Sequence, residues 1–115
     1  MQGVLIKFYV QENSRHHGVL VYEWLLEQAR GLGIGGGTAF RAIAGFGRHG
    51  HLHEEHFFEL AGDLPVQVGF ALKEPDAQRL LEHLAKENLP LFYLTQPVEM
   101  GVIGRTLQDP PAAGG

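Results

Sequence analysis

Cysteine is missing from the chain altogether, so disulfide bonds, zinc–thiolate sites and thiol catalysis are excluded. No apolar run approaches the roughly 20 residues that a membrane-spanning helix needs. The N-terminal residues lack the basic and apolar regions of a secretory signal. These absences predict a cytoplasmic protein that does not insert into a membrane.

Positive charge is also scarce. The 115 residues include 9 Lys and Arg against 13 Asp and Glu, which gives a formal net charge of −4 at pH 7. Association with DNA or with anionic lipid is driven largely by counterion release, and counterion release requires a basic surface. We therefore expect no nucleic-acid partner.

Signatures of the common enzyme classes are absent as well. The sequence has no Gly-x-Ser-x-Gly elbow and no P-loop. Its acidic residues do not form a pair in a setting that would drive their pKa values apart. We therefore expect a binding protein rather than an enzyme, with no required cofactor.

Hydrophobic residues make up 44% of the chain, which is enough to form one core. Val4–Val10 is β-branched and aromatic, which predicts a central strand. Apolar residues recur at steps of three and four from Leu20 to Leu32, which predicts an amphipathic helix. The other predicted elements are strands at 38–44, 64–72 and 91–94 and a second helix between Pro75 and Pro90.

The C-terminal part is less regular. Thr95-Gln96-Pro97 is predicted to interrupt the last strand, and Val98–Ile103 is either a short extension of it or a fifth, edge strand. Pro, Ala and Gly make up most of residues 109–115, and such a segment buries too little apolar surface to offset the entropy cost of ordering. We therefore expect one domain over residues 1–105 and a disordered tail over residues 106–115.

The element order β-α-β-β-α-β predicts the fold. It is typical of the α+β, ferredoxin-like arrangement, an antiparallel four-stranded sheet with two helices on one face. The first strand places Leu5 and Tyr9 on one side and its even-numbered apolar residues on the other. The sheet face without helices therefore stays apolar, and self-association is the simplest way to cover it.

The first candidate site is Gly45-Phe46-Gly47-Arg48, where the second strand ends. Glycine lets backbone N–H groups approach an anion closely, and Arg48 can add a charged hydrogen bond to a phosphate. Glycines in such positions also serve simply as turn residues. The pattern alone therefore leaves both an anion site and an ordinary turn open.

The second candidate site is a group of histidines in the following loop. His49, His51 and His53 alternate, so in an extended chain their imidazoles point to one side, where they could bind Zn²⁺, Cu²⁺ or Ni²⁺. Solvated loop histidines without a ligand explain the same spacing more simply. His16 and His17 are expected to cap the first helix and stay solvated, or else to contribute to a cleft from a neighbouring subunit.

Several of these segments resemble PII signalling proteins. The resemblance to the T-loop region of PII is carried by Gly45-Phe46-Gly47-Arg48, the loop after it and Asp63-Leu64-Pro65-Val66-Gln67-Val68. Residues 3–105 as a whole are similar to the PII-like family of domains of unknown function numbered one hundred and ninety. The resemblance implies a ferredoxin-like homotrimer with ligand clefts between subunits. The base of the T-loop would read a nucleotide, and the T-loop itself, residues 48–63, would signal to a membrane transporter or a cytoplasmic enzyme.

The resemblance also implies which residues bind the ligand. Gly45, Gly47 and Arg48 match positions that approach the nucleotide phosphates in PII, and Thr38 or Ala39 falls near its adenine-contacting threonine. The implied ligand-binding set is Thr38, Ala39, Arg41, Gly45, Phe46, Gly47, Arg48, His49 and Arg105.

The sequence departs from PII in its phosphate contacts. Glu87-Asn88-Leu89-Pro90 replaces the second phosphate-binding segment, Gly-Asp-Gly-Lys, and Arg105 alone remains near the end, where PII usually has more than one arginine. AMP, ADP or cyclic AMP therefore fits better than ATP. The alternatives are a trimeric divalent-metal-binding protein that uses the loop histidines, similar to the divalent-cation-tolerance relatives of this fold, and a purely structural interaction module.

Overall fold

The computed structural model describes residues 1–46 and 64–104. In that part of the chain the longer strands are β1 (Gln2–Gln11), β4 (Thr38–Arg41), β5 (Pro65–Leu72) and β6 (Phe92–Glu99), and the helices are α1 (Val21–Gly31) and α2 (Glu74–Ala85). Two short strands, β2 (Arg15–His16) and β3 (Val19–Leu20), form a separate hairpin between β1 and α1. Apart from this hairpin, the order is the predicted βαββαβ.

The four longer strands form one antiparallel sheet in the order β4-β5-β1-β6. The register places Ile6 opposite Phe70 and Phe8 opposite Val68, so the even-numbered residues of β1 and β5 share one face. These residues pack with both helices in a single core, which comprises Ile6, Phe8, Val21, Trp24, Leu25, Ala29, Ile34, Val66, Val68, Phe70, Leu72, Ala77, Leu80 and Leu84. The α+β, ferredoxin-like fold with two helices on one sheet face is confirmed.

The two helices each bury one apolar stripe, as their spacing predicts. Pro75 lies in the first turn of α2, where its missing N–H removes no intrahelical hydrogen bond. Among the residues that the structure describes, neither helix has the length and apolarity to cross a membrane.

The last strand departs from the sequence prediction. β6 runs without a break through Thr95-Gln96-Pro97, so the predicted interruption is wrong. β6 lies at the edge of the sheet and pairs only with β1, and an edge strand tolerates proline because one side of its backbone needs no partner. The strand ends at Glu99, and no fifth strand joins this sheet within residues 1–46 and 64–104. β4 is shorter than predicted and ends at Arg41.

The start of α1 also differs from the prediction. Leu20 is the N-cap residue and makes no side-chain capping bond. The N–H of Val21 instead donates to the carbonyl oxygen of Ser14 at 2.8 Å. The prediction that His16 and His17 cap the helix is wrong, because the β2–β3 hairpin carries both side chains to Glu87, just beyond α2.

Candidate ligand cleft

A cleft of about 920 Å³ lies at the end of the sheet where β1 ends and β5 and β6 begin. Most of its lining is apolar, and the polar side chains come from the end of β1 and the segment that follows it. The lining residues are Tyr9, Val10, Gln11, Ser14, Arg15, Val21, Phe46, Pro65, Leu89, Pro90, Leu91, Phe92 and Leu94. An apolar pocket with a few polar groups is the usual composition of a small-molecule site.

Arg15 supplies the positive charge among these lining residues. It lies in β2, and its Nη1 donates a hydrogen bond to the carbonyl oxygen of Gly18 at 2.9 Å. The β2–β3 hairpin therefore orients the guanidinium beside the cleft. Sequence reasoning did not single out Arg15, because a lone arginine in a polar stretch carries no motif.

The first residues of the implied phosphate-binding segment, Gly45-Phe46-Gly47-Arg48, lie at the cleft. Phe46 lines the cleft with its side chain 57% exposed. Gly45 rests against Pro65 at the start of β5, since a Cβ at this position would lie 3.3 Å from Pro65 Cγ. Gly47, Arg48 and His49 lie outside the described residues, as does Arg105. Their roles in ligand binding therefore remain predictions.

The other implied ligand-binding residues lie along β4, away from the cleft lining. Ala39 is opposite Val68 and packs against the core. Arg41 Nη2 forms an ion pair with Glu12 Oε2 at 2.8 Å. Thr38 is exposed in the same strand. The described structure thus brings Phe46, with Gly45 beside it, to the cleft and leaves Thr38, Ala39 and Arg41 outside its lining.

The sheet face opposite the helices carries exposed apolar side chains, as the sequence predicts, together with Lys7, Gln67 and Gln96. Tyr9 pairs with Phe92 across β1 and β6, with ring centroids 6.0 Å apart. The exposed apolar side chains on this face are Tyr9 at 38%, Phe40 at 61%, Phe92 at 44% and Leu94 at 37%. Three of these four also line the cleft. The cleft and the uncovered face are therefore continuous.

A second group of polar side chains lies beside the cleft. His16 Nε2 is 2.9 Å and His17 Nε2 is 3.3 Å from Glu87 Oε1. The pKa of Glu87 lies below its usual value, mainly because the carboxylate accepts a hydrogen bond from His16. Desolvation of the carboxylate acts in the opposite direction and raises the pKa. Sequence reasoning missed this group because His16 and Glu87 are 71 residues apart. The histidines that it did propose as metal ligands, His49, His51 and His53, lie outside the described residues.

Residues 3–100 match the DUF190 family, which is described as "Uncharacterized ACR". The UPF0166 protein of Aquifex aeolicus (strain VF5) is 35% identical over 90 residues, which are 78% of this chain and 86% of that protein. UPF0166 protein MJ1524 of Methanocaldococcus jannaschii is 30% identical over 84 residues, 73% of this chain and 77% of that protein. The family match extends from β1 through β6.

Two solved structures share the fold. A protein of Thermus thermophilus described as PII-like superposes with a TM-score of 0.57 at 18% identity, and the match covers 85% of this chain and 88% of that one. CPII of Thiomonas intermedia K12, bound to ADP and bicarbonate, superposes with a TM-score of 0.55 at 18% identity, and the match covers 89% and 91%. The arrangement of strands and helices is therefore PII-like.

Proposed function

The chain belongs to the DUF190 family and has a PII-like fold, and from this premise we propose that it is a non-catalytic regulator that binds an adenine nucleotide in the cleft. AMP, ADP or cyclic AMP is the proposed ligand. Binding is proposed to be signalled through residues 48–63, the T-loop, to a membrane transporter or a cytoplasmic enzyme. This partner class comes from the resemblance to PII.

The composition of the cleft is the main support for this proposal. Its apolar walls suit the flat face of a purine base, and Phe46 and Phe92 are aromatic side chains on which a base can stack. Gln11 and Ser14 offer polar groups for the edge of a base or for a ribose. A mostly apolar cleft with one arginine favours a ligand that has a large ring system and few phosphates.

The number of cations limits the number of phosphates. Arg15 is present in the cleft lining, and the sequence places Arg48 two residues after Phe46. Two guanidinium groups, each able to bind an anion in bidentate fashion, match one or two phosphates better than three. CPII, which shares the fold, is bound to ADP and bicarbonate, and this supports a diphosphate.

A homotrimer is the proposed assembly. The apolar side chains on the uncovered sheet face form the kind of patch that marks an interface in soluble proteins. Because this face is continuous with the cleft, a neighbouring protomer that covers the face would also close one side of the cleft. The ligand would then bind between subunits.

Thermal unfolding with AMP, ADP, ATP and cyclic AMP tests the proposal. A nucleotide that binds the folded state at 100 times its Kd stabilises it by about 2.7 kcal/mol, so we expect AMP, ADP or cyclic AMP to raise the Tm clearly and ATP to raise it less. Arg15→Ala and Arg48→Ala should each reduce the rise. The matched control is Arg30→Ala, because Arg30 is an exposed helix arginine that pairs with Glu27. A Tm that no nucleotide changes, or a rise that Arg15→Ala and Arg48→Ala both retain, would contradict the proposal.

A further inference from the structure

We propose that His16, His17 and Glu87 form a binding site for a divalent cation of the zinc class, and that the cation ties the β2–β3 hairpin to the turn after α2. This site is separate from the proposed nucleotide site, so either proposal can fail without the other. It is also separate from the loop histidines that the sequence suggested.

The three ligand atoms are close enough for one cation. His16 Nε2, His17 Nε2 and a carboxylate oxygen of Glu87 all lie within 4.8 Å of one another. Zn²⁺ binds these ligand types at about 2.0–2.2 Å, so the ligand atoms of a tetrahedral site lie about 3.4 Å apart. The separations of 2.9 and 3.3 Å between the imidazoles and Glu87 are close to this value. Side-chain rotation has to bring the two imidazole nitrogens, which lie within 4.8 Å of each other, to about the same separation.

The chemical set is one that zinc uses in proteins. Two imidazoles and one carboxylate leave the fourth position of a tetrahedral cation open for water or an anion. In the metal-free protein an imidazole Nε2 that donates to Glu87 carries a proton. As a ligand, the same nitrogen gives its lone pair to the metal, so the proton of the neutral ring moves from Nε2 to Nδ1. The cation thus replaces the hydrogens that now link His16 and His17 to Glu87.

Two residues in and next to this cluster lie in the left-handed backbone region. His17 has φ of 54° and Asn88, directly after Glu87, has φ of 53°. Positive φ is uncommon outside glycine, although His and Asn adopt it more readily than most residues, and such conformations concentrate at binding sites. The His17 side chain is 71% exposed, so burial in the core does not explain why this residue occupies the turn.

The site also connects two walls of the cleft. The residue before His16 is Arg15, and the residues that shortly follow Glu87 are Leu89, Pro90 and Leu91; all four line the cleft. A cation bound by His16, His17 and Glu87 would therefore fix the hairpin and the turn after α2 relative to each other. Its occupancy would set the width of the cleft at this end.

Zinc titration of the full chain tests the proposal, and Trp24 provides the signal. Trp24 is the single tryptophan in the sequence, and its ring centroid is 4.8 Å from that of His16. The loop histidines are first removed by combining His49→Gln, His51→Gln, His53→Gln and His56→Gln. In this background we expect one Zn²⁺ per chain, a change in Trp24 fluorescence and a rise in Tm. Co²⁺ should give the intense visible absorption of a four-coordinate ion.

Two variants remove one ligand each. Glu87→Gln keeps the size and hydrogen-bonding capacity of the side chain but loses the carboxylate, and His17→Asn keeps a residue that tolerates the left-handed backbone. We expect each to weaken Zn²⁺ binding by more than about 100-fold, the upper range for loss of even a supporting partner. The matched control is His83→Gln, because His83 bonds to Gln28 Oε1 and lies outside the cluster; it should bind Zn²⁺ as tightly as the background.

Stoichiometric binding that both ligand variants lose and His83→Gln retains supports the site. Absence of Zn²⁺ binding in the background variant would overturn the proposal and assign any wild-type binding to the removed histidines. Binding that Glu87→Gln and His17→Asn leave unchanged would overturn it as well.

Discussion

At the scale of single residues, the backbone of the β2–β3 turn favours a different residue from the histidine that the sequence places there. His17 and Gly18 have φ of 54° and 79°, and two successive positive φ values are the pattern of a type I′ turn. Asn followed by Gly is the preferred sequence for this turn. We therefore expect His17→Asn to raise the free energy of unfolding of the metal-free protein by about 0.5–1 kcal/mol. Denaturant unfolding in the presence of a chelator measures this.

The matched comparison at the same position is His17→Val. A β-branched residue is strongly disfavoured at positive φ, so this variant should lower the free energy of unfolding, although both substitutions remove the same contact to Glu87. Equal losses in the two variants would mean that the contact to Glu87, and not the backbone, determines stability here. An increase in His17→Asn together with lost zinc binding would show that histidine is kept for its imidazole.

A second prediction at this scale concerns Arg41, which the resemblance to PII implies as a ligand residue. Its guanidinium pairs with Glu12 at 2.8 Å, and the Glu12 side chain is only 18% exposed. A double-mutant cycle of Arg41→Gln and Glu12→Gln should give a coupling energy near the upper end of the range of about 0.2–1 kcal/mol for exposed pairs. Nucleotide affinity that falls in Arg41→Gln but not in Glu12→Gln would instead assign Arg41 to the ligand.

At the scale of elements, the segment between α1 and β4 depends on a close approach to the core. A Cβ at Gly37 would lie 2.3 Å from Cε1 of Phe70, and Phe70 is buried at 2% exposure. Gly37→Ala must therefore displace either the ring or the backbone, and we expect a loss of about 1–3 kcal/mol in the free energy of unfolding. Thermal or denaturant unfolding measures it.

Gly31→Ala is the control for this prediction. Gly31 is the last residue of α1, and a Cβ there meets nothing within 4 Å. Alanine should stabilise the helix by up to about 1 kcal/mol. If both substitutions changed stability in the same direction, contact with Phe70 would not be the reason that Gly37 is glycine.

The elements were largely predictable because most are defined by local periodicity. The alternation in β1 and the three-and-four spacing in α1 give the correct faces, and the order of elements gives the fold. Pro97 misled the prediction because a proline ends a central strand but not an edge strand, and the position of a strand in the sheet is a property of the topology. The β2–β3 hairpin was missed because its strands have two residues each.

The candidate site was less predictable for a similar reason. Phe46 and Gly45 belong to a recognisable motif, and the structure brings Phe46 to the cleft. Arg15 and the pairing of His16 with Glu87 carry no local signal, since hairpin formation and the docking of α2 bring them into place. Contacts of this kind require the tertiary fold before they can be inferred.

At the scale of the whole molecule, the uncovered sheet face connects assembly with ligand binding. Tyr9, Phe92 and Leu94 belong both to this face and to the cleft lining. If protomers associate through the face, each protomer borders its neighbour's cleft. A change that weakens assembly should then also weaken nucleotide binding, even when the changed residue lies outside the cleft.

Phe40→Lys tests this coupling. Phe40 lies on β4 and does not line the cleft, and its side chain is 61% exposed in the protomer. Lysine on an edge strand is compatible with folding, but a charge buried in an interface without a partner is costly. We expect the wild type to be a trimer by light scattering at micromolar concentration, and Phe40→Lys to dissociate and to bind nucleotide more weakly.

Ile103→Lys is the control and should change neither property, because Ile103 is fully exposed beyond β6. A monomeric wild type, or a Phe40→Lys protein that remains trimeric, would show that this face does not hold the assembly.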